Sequence, residues 1–411
     1  MKYSDLDVVV RGFPVRGTYA GGFEEFAEAF ARNFENGLEI GAAAAAYRGD
    51  EVLFDLWGGF KDRKRTDPWE SDTMACVHSS TKAISALAVA MAISRGRIEV
   101  DRRVADDWPE FAANGKDEIT VRQILDHSAG LPIIEEPLNV GLLGDLDSLA
   151  DILARQKPQW VPGTRHGYHG WTIGMYLNEI MRRTDPQQRT IGAFVQAEIF
   201  DLLGEEFYIG LPDEIDDSRV SGEITTARTL LEMVQWSPMV AMSLFLPKFL
   251  QGDSLGAKML SNPPELATIS NFHRRDVRRV EIPGGNGIGT ARAMARAMAA
   301  SLAEHNPLKI SPEVKAQIEA THPKMGGDER DAVMQGPSLF QMGFSKPTLR
   351  SQLGSRPRTY FAPGGGGNLC LADPDSGVGF GYCLNRFGGN PADDSRVTGL
   401  YDALIRCVGS P

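Results

Sequence analysis

The pattern of apolar and polar positions divides the chain into two ends that read as strand and a middle that reads as helix. Ile40 to Tyr47 are apolar and small, Arg48-Gly49-Asp50 is a turn signal, and Glu51 to Trp57 resumes with Val, Leu, Phe and Leu. Apolar runs of this length around a glycine-containing turn predict a β-hairpin. A second hairpin is predicted near the other end, where Asn368 to Ala372 and Val378 to Asn385 flank the turn cluster Asp373-Pro374-Asp375-Ser376-Gly377. Beyond it, Val397, Leu400, Leu404 and Val408 recur at helical spacing, with Ser395 as the expected cap.

Between these ends the period lengthens. Thr81 to Ser94 reads as a buried helix stopped at Gly96, and Ser148 to Arg155, Thr172 to Arg183 and Ile191 to Leu203 are further helices. Trp236 to Asn271, rich in Met, Leu, Phe and Pro without clean periodicity, reads as lid-like or loop-rich. Strands at both termini with helices between them predict an α/β protein of the α+β type. An antiparallel sheet assembled from the two chain ends carries an inserted helical lobe. The expected division is residues 1–115 and 330–411 for the sheet-bearing lobe and residues 116–329 for the helical one. The cleft between lobes is then the default place for a site.

Composition narrows the function classes. A chain of 411 residues that is 42% hydrophobic buries a large core, which rules against disorder as its main state. A net charge of -11 without long like-charge blocks argues against a nucleic-acid surface. The opening residues Met1-Lys2-Tyr3-Ser4-Asp5 lack a basic segment followed by an apolar one, and the longest apolar stretch, Ala83 to Ile93, is too short to span a bilayer. Both observations predict a cytoplasmic protein without a membrane partner. Cys76, Cys370, Cys383 and Cys407 show no CxxC pair and sit in apolar surroundings, which predicts buried, reduced thiols rather than a metal site or disulfide framework. Oligomeric state is not legible.

The candidate chemistry lies at Ser79-Ser80-Thr81-Lys82. If a helix starts near Ser79, side chains three residues apart share one face. A serine hydroxyl is a poor nucleophile, and a lysine takes its proton only when burial keeps that lysine partly neutral. The helix N-terminus adds partial positive charge and free N–H groups for an oxyanion. Two fixed positions in four recur by chance roughly once in such a chain, so the pattern carries weight only with its setting. That setting is an extended stretch from Met74 to His78 before it and a long apolar helix after it. The bland alternative makes Ser79 an N-cap and Lys82 a solvated residue.

Three segments together resemble the serine β-lactamase-like superfamily. They are Val77-His78-Ser79-Ser80-Thr81-Lys82, Gly96-Arg97-Ile98-Glu99-Val100-Asp101, and the run from Ile119 through Asp126-His127-Ser128-Ala129-Gly130-Leu131-Pro132. Leu56-Trp57-Gly58-Gly59, Trp108-Pro109-Glu110-Phe111, Trp160-Val161-Pro162-Gly163-Thr164 and Tyr168-His169-Gly170 extend the resemblance, which is nearest to the β-lactamase-fold esterases called family VIII carboxylesterases. The resemblance implies a β-lactamase/penicillin-binding-protein-like fold and cleavage of a small-molecule ester through a Ser79 acyl-enzyme, with no cofactor and no metal. It makes Tyr168 the partner of Ser79 and Lys82, and it places the third element in residues 362–368, on an edge strand. There the N–H of Gly365, with Gly364 in reserve, joins that of Ser79 to hold the oxyanion. His169 is expected beside Tyr168 as a pocket or hydrogen-bonding residue, and Trp57, Trp108, Trp160 and Trp171 are available for an apolar pocket.

Two departures from the superfamily pattern shift the expected substrate. Gly170 stands where Tyr-x-Asn has asparagine, and residues 362–368 hold neither lysine nor histidine. Both favour neutral esters over penicillin-like acids. A β-lactam or amide hydrolase, an acyltransferase, and a binding module without catalysis are the alternatives. Gly252-Asp253-Ser254-Leu255-Gly256, followed by His273, His305 and His322, matches the Gly-x-Ser-x-Gly elbow, but the strand and helix that an elbow needs are not predicted around it. His166 and His169 have no acidic or cysteine ligand at helical spacing, and His127 reads as structural.

Overall fold

The computed structural model describes residues 2–236, 254–324, 330–348, 353, 356–389 and 394–409. Both predicted hairpins form. Strands β1 (Tyr3–Val10), β2 (Phe13–Ala20), β3 (Gly41–Arg48) and β4 (Glu51–Gly59) come from the N-terminal part, and β10 (Tyr360–Pro363), β11 (Leu369–Asp373) and β12 (Val378–Leu384) from the C-terminal part. Short strands β5 (Ala75–Cys76), β6 (Phe207–Tyr208), β7 (Ile288–Gly289), β8 (Phe340–Gln341) and β9 (Phe344–Ser345) lie between them. Among the described residues the main sheet has nine strands in the order β1-β2-β4-β3-β12-β11-β10-β9-β8. Its centre is the antiparallel pairing of β3 with β12, which joins the two chain ends.

Six helices matter for the site and its support: α1 (Glu24–Glu35), α2 (Thr81–Ser94), α3 (Leu146–Arg155), α4 (Thr172–Thr184), α5 (Ala291–Leu302) and α6 (Ser395–Val408). One face of the sheet is covered by α1 and α6. Phe26, Phe30, Phe34, Phe54, Phe380 and Leu400 form an apolar layer there, with the Phe26 and Phe54 rings stacked at 3.9 Å. The cap of α6 is Asp394, which accepts from the Arg396 N–H, and not the expected Ser395. The predicted helix at Ile191 to Leu203 is interrupted by a wider turn at Gln196–Phe200 and ends at Gly204, whose φ is 66°.

The other face receives α5 at close range. A Cβ on Gly379 would stand 2.2 Å from the Ala299 nitrogen, and one on Gly381 would stand 2.2 Å from the Ala291 carbonyl oxygen. Alternate residues of a strand share a face, so Gly379 and Gly381 of β12 make a flat strip on which the alanines of α5 rest. The alanine run 42–46 acquires its reason here. Ala43 and Ala45 join the α2–α5 core, whereas Ala42, Ala44 and Ala46 lie in the aromatic layer on the other side. Gly379→Ala is expected to force α5 off the sheet and destabilise the protein by at least about 1–3 kcal/mol, read as a lower Tm.

Helix α2 is buried from Thr81 through Ala92, as a helix apolar on nearly every side should be. The strand leading into it, β5, is held by β7, which also pairs with β6. Of the segment expected to be lid-like, residues 237–253 lie outside the described residues. Residues 255–261 form a short helix and two 3-10 turns follow it. Among the described residues no helix is long and apolar enough to cross a membrane.

Candidate active site

The helix-start geometry expected at Ser79 is present in modified form. A 3-10 turn over His78–Ser80 runs directly into α2, so Ser79 sits in the first turn, where backbone N–H groups have no intrahelical acceptor. Ser79 makes no capping bond and is the one partly exposed residue between Thr73 and Ala92. Lys82 is only 6% exposed, so the reading of a capping serine and a solvated lysine is excluded.

Three side chains converge on one oxygen. Lys82 Nζ lies 3.1 Å from Ser79 Oγ, and the Tyr168 hydroxyl donates to the same oxygen at 2.8 Å. Lys82 Nζ also donates to the Gly284 carbonyl and stands 4.8 Å from the centre of the Tyr168 ring. Burial lowers the Lys82 pKa from 10.5 to about 7. No carboxylate forms an ion pair with it among the described residues, so nothing restores the charged form. Burial pushes Tyr168 the other way, up to about 12, partly offset by its bond to Ser79. Near neutral pH the site therefore holds a phenol and an amine that is neutral part of the time.

Several groups that hold this arrangement were invisible in the chain pattern. Gly284 belongs to the loop before β7, and Pro283 in that loop accepts from Ser85 Oγ of α2 at 2.8 Å. Asp331 accepts the Tyr168 N–H with both carboxylate oxygens at 3.0 Å and also binds the N–H groups of Val333 and Met334. The Phe340 ring stacks on Tyr168 at 5.9 Å. None of these residues has a local motif, because each is brought in by chain segments far from Ser79.

The glycine stretch lies beside the serine, since Ser80 Oγ donates to the Ala362 carbonyl at 3.0 Å. Its strand is not an edge: β10 pairs with β11 on one side and β9 on the other, and the β8–β9 hairpin covers it. The Gly364 N–H is spent on the Asn368 carbonyl at 2.7 Å, which removes the reserve choice for the oxyanion. Gly366 has φ of 80° and its carbonyl accepts from Gly388 N–H and from Arg396, so the loop is pinned from behind. Arg396 is fully buried and paired with Glu39 at 3.2 Å.

His169 takes the hydrogen-bonding role expected for it and not the pocket-lining, substrate-binding one. It is fully buried, its Nε2 accepts the Leu131 N–H at 2.9 Å, and its Nδ1 faces the Gly167 carbonyl at 2.6 Å. Its own N–H donates to His127 Nδ1, so both rings are structural and burial lowers their pKa values, to about 4 for His169. His166 meets Ser338 Oγ at 3.1 Å. Trp108 is buried in the core against Phe111 and Tyr176. At Gly170 a Cβ would lie 2.7 Å from Met259 Sδ, so the room an asparagine needs is filled by Met259. Gly252 and Asp253 of the rival elbow lie outside the described residues, while Ser254 is an exposed N-cap accepting from the Ala257 N–H.

With this geometry in place, the comparisons with known proteins have a site to refer to. A family model described as Beta-lactamase matches residues 30–404. The chain belongs to the beta-lactamase family. It is 28% identical over 363 residues to Esterase/beta-lactamase LipL of Mycobacterium tuberculosis (strain ATCC 25618 / H37Rv), covering 87% of this chain and 80% of that protein. A crystal structure of a family VIII carboxylesterase superposes with TM-score 0.81 at 30% identity, covering 96% of this chain and 99% of the other. A penicillin-binding protein homolog from Caulobacter crescentus superposes with TM-score 0.79 at 33% identity, covering 95% and 98%. The protein is a hydrolase of the beta-lactamase fold, close to the family VIII carboxylesterases.

Proposed function

We propose that this beta-lactamase-family protein is a serine carboxylesterase acting on neutral esters of short or small acyl groups through a Ser79 acyl-enzyme. The observation that carries the reading is the meeting of Tyr168 and a lysine of pKa about 7 on one serine oxygen. Neutral Lys82 donates to the Gly284 carbonyl and accepts the Ser79 proton as Oγ attacks the ester carbonyl carbon. The N–H groups of Ser79 and Gly365 hold the oxyanion. As the tetrahedral adduct collapses, the C–O bond breaks, the leaving alkoxide takes the Tyr168 proton, and the Lys82 ammonium reprotonates Tyr168. Water then attacks the acyl carbon and gives a proton to the same pair, which passes it to Ser79 Oγ as the acyl C–Oγ bond breaks, releasing the acid and free Ser79.

The surroundings favour an ester over a β-lactam. Residues 362–367 carry no basic side chain to meet a substrate carboxylate, and Met259 fills the space beside Gly170. Next to the nucleophile, the His78 ring is bracketed by Phe272 at 4.9 Å and Phe387 at 5.6 Å, with Trp171 against Phe272 at 5.9 Å. Phe387 is the partly exposed ring of this group, and an apolar surface there suits an uncharged acyl or alcohol group. The names of the relatives, a family VIII carboxylesterase and an esterase/beta-lactamase, agree with this preference.

Incubation with p-nitrophenyl butyrate and with a serine-directed phosphonate tests the proposal. Turnover with the phosphonate mapped to Ser79 is expected. Faster hydrolysis of a chromogenic cephalosporin than of the ester would transfer the assignment to β-lactams, and a stable acyl adduct without turnover would leave only binding. Tyr168→Phe removes the proton relay but keeps the ring on Phe340, so kcat is expected to fall about 10²–10³-fold with KM nearly unchanged.

A further inference from the structure

Directly behind the nucleophile lies a second cluster that the hydrolytic chemistry does not use. Cys76, at the end of β5, His78, at the start of the turn, and Glu223, from a distant loop, bring one ligating atom each to within 4.8 Å of one another. All three are enclosed: Cys76 is 5% exposed, His78 6%, and the Glu223 side chain 7%. The loop that carries Glu223 is tied down on both sides, by Met74 pairing with Val220 and by Ile224 pairing with Arg386.

The polar atoms of the cluster are left incomplete by the protein. Glu223 Oε1 lies 2.8 Å from His78 Nε2, yet among the described residues neither that nitrogen nor either Glu223 oxygen finishes with a directed hydrogen bond. The close approach is thus a contact too poorly aligned for a hydrogen bond. Buried carboxylate oxygens and imidazole nitrogens are ordinarily satisfied, and an ion is among the recognised reasons for an exception. Burial raises the Cys76 thiol well above its usual range, and Glu223 adds to this through its charge and a weak contact with the thiol. The nearly buried guanidinium of Arg278, bonded to the Phe272 carbonyl, is the neighbouring positive group.

We propose that Cys76, His78 and Glu223 form a binding site for a divalent cation of the zinc class. One sulfur, one imidazole nitrogen and one carboxylate oxygen suit a borderline-soft ion in tetrahedral coordination, with water as the fourth ligand, and they do not suit Mg²⁺ or Ca²⁺. A tetrahedral zinc site separates its ligand atoms by about 3.3–3.7 Å, so the His78–Glu223 contact opens by roughly half an ångström on loading. On binding, the Cys76 S–H bond breaks, a sulfur–metal bond forms, and one proton leaves to the buffer. None of the three ligands belongs to the Lys82–Tyr168 proton-transfer chain, although His78 directly precedes Ser79. Cys76 is the buried free thiol that the sequence predicts, and the proposal adds a metal role to it because Glu223, far away in the chain, was not legible as its neighbour.

Chelator-stripped full-length protein is titrated with Co²⁺ as a spectroscopic stand-in, then with Zn²⁺ in competition. One equivalent of Co²⁺ is expected to raise a thiolate-to-metal charge-transfer absorption, release about one proton, and be displaced by Zn²⁺. Zn²⁺ is expected to raise Tm, because the folded state alone holds the three ligands together. Cys76→Ser should abolish the charge-transfer band, and Glu223→Gln should weaken binding at least about tenfold, with circular dichroism confirming that both variants fold. The proposal is overturned if wild type takes up no Co²⁺ at micromolar concentration, or if the band survives Cys76→Ser. Binding without a sulfur band would mark adventitious capture by surface histidines and overturn it too.

Discussion

Ser79→Ala is expected to reduce p-nitrophenyl ester hydrolysis by about 10⁴-fold or more and to abolish phosphonate labelling. The size follows from the site having one hydroxyl on which both proton-handling groups converge, at 3.1 Å from Lys82 and 2.8 Å from Tyr168. Ser80 does not substitute for it, because Ser80 is fully buried and its hydroxyl is committed to the Ala362 carbonyl. The fold should survive: Ser79 is partly exposed, Lys82 retains its bond to Gly284, and alanine is well suited to the start of a helix. An unchanged Tm with lost activity is the expected pair of results. Activity within tenfold of wild type, or an adduct on Ser254, would refute the assignment of the nucleophile.

Lys82→Met is the second large effect, with kcat/KM expected to fall about 10²–10⁴-fold, the usual worth of a positioned general base. Methionine keeps the length of the side chain and removes only the amine, so Tm is expected to hold or rise as an ionisable group leaves the interior. The pH profile is the sharper readout. A lysine whose pKa falls from 10.5 to about 7 is a base above that value and an ammonium below it. Wild-type kcat/KM should therefore rise with pH through about 7 and level off, since Tyr168, at about 12, stays protonated throughout. In Lys82→Met the rise near 7 should disappear. The same shift affects stability: between about 7 and 10.5 the unfolded chain binds a proton that the folded chain does not, so stability contributed by this group increases with pH across that window.

The legibility of the fold varied with how locally each element is specified. Both central hairpins and α2 follow from apolar runs bounded by turn residues, and they form where the pattern places them. The β1–β2 hairpin left no comparable signal, because β1 buries none of its residues and so has no apolar face to repeat. The alternation of Gly379 and Gly381 with Phe380 and Tyr382 is visible in the chain, but its meaning depends on α5, which lies about eighty residues earlier. The site divides in the same way. Ser79 and Lys82 are three residues apart on one helical turn, so their meeting is a local matter. Tyr168 was reached only through resemblance, and Gly284, Asp331 and Phe340 carried no signal at all.

What this amino-acid sequence determines alone is the pair of strand-rich ends, the buried helix that opens at Thr81, and the nearness of Ser79 and Lys82 at its start. Those features rest on backbone periodicity and short-range geometry, which act within a few residues. The tertiary structure decided everything that depends on distance along the chain. It placed Tyr168 on the serine, shut Lys82 away from water so that its amine is neutral part of the time near pH 7, turned His169 into a buried brace, and set Glu223 against Cys76 and His78. Burial and charge proximity are properties of the packed molecule, and no spacing in the chain encodes them.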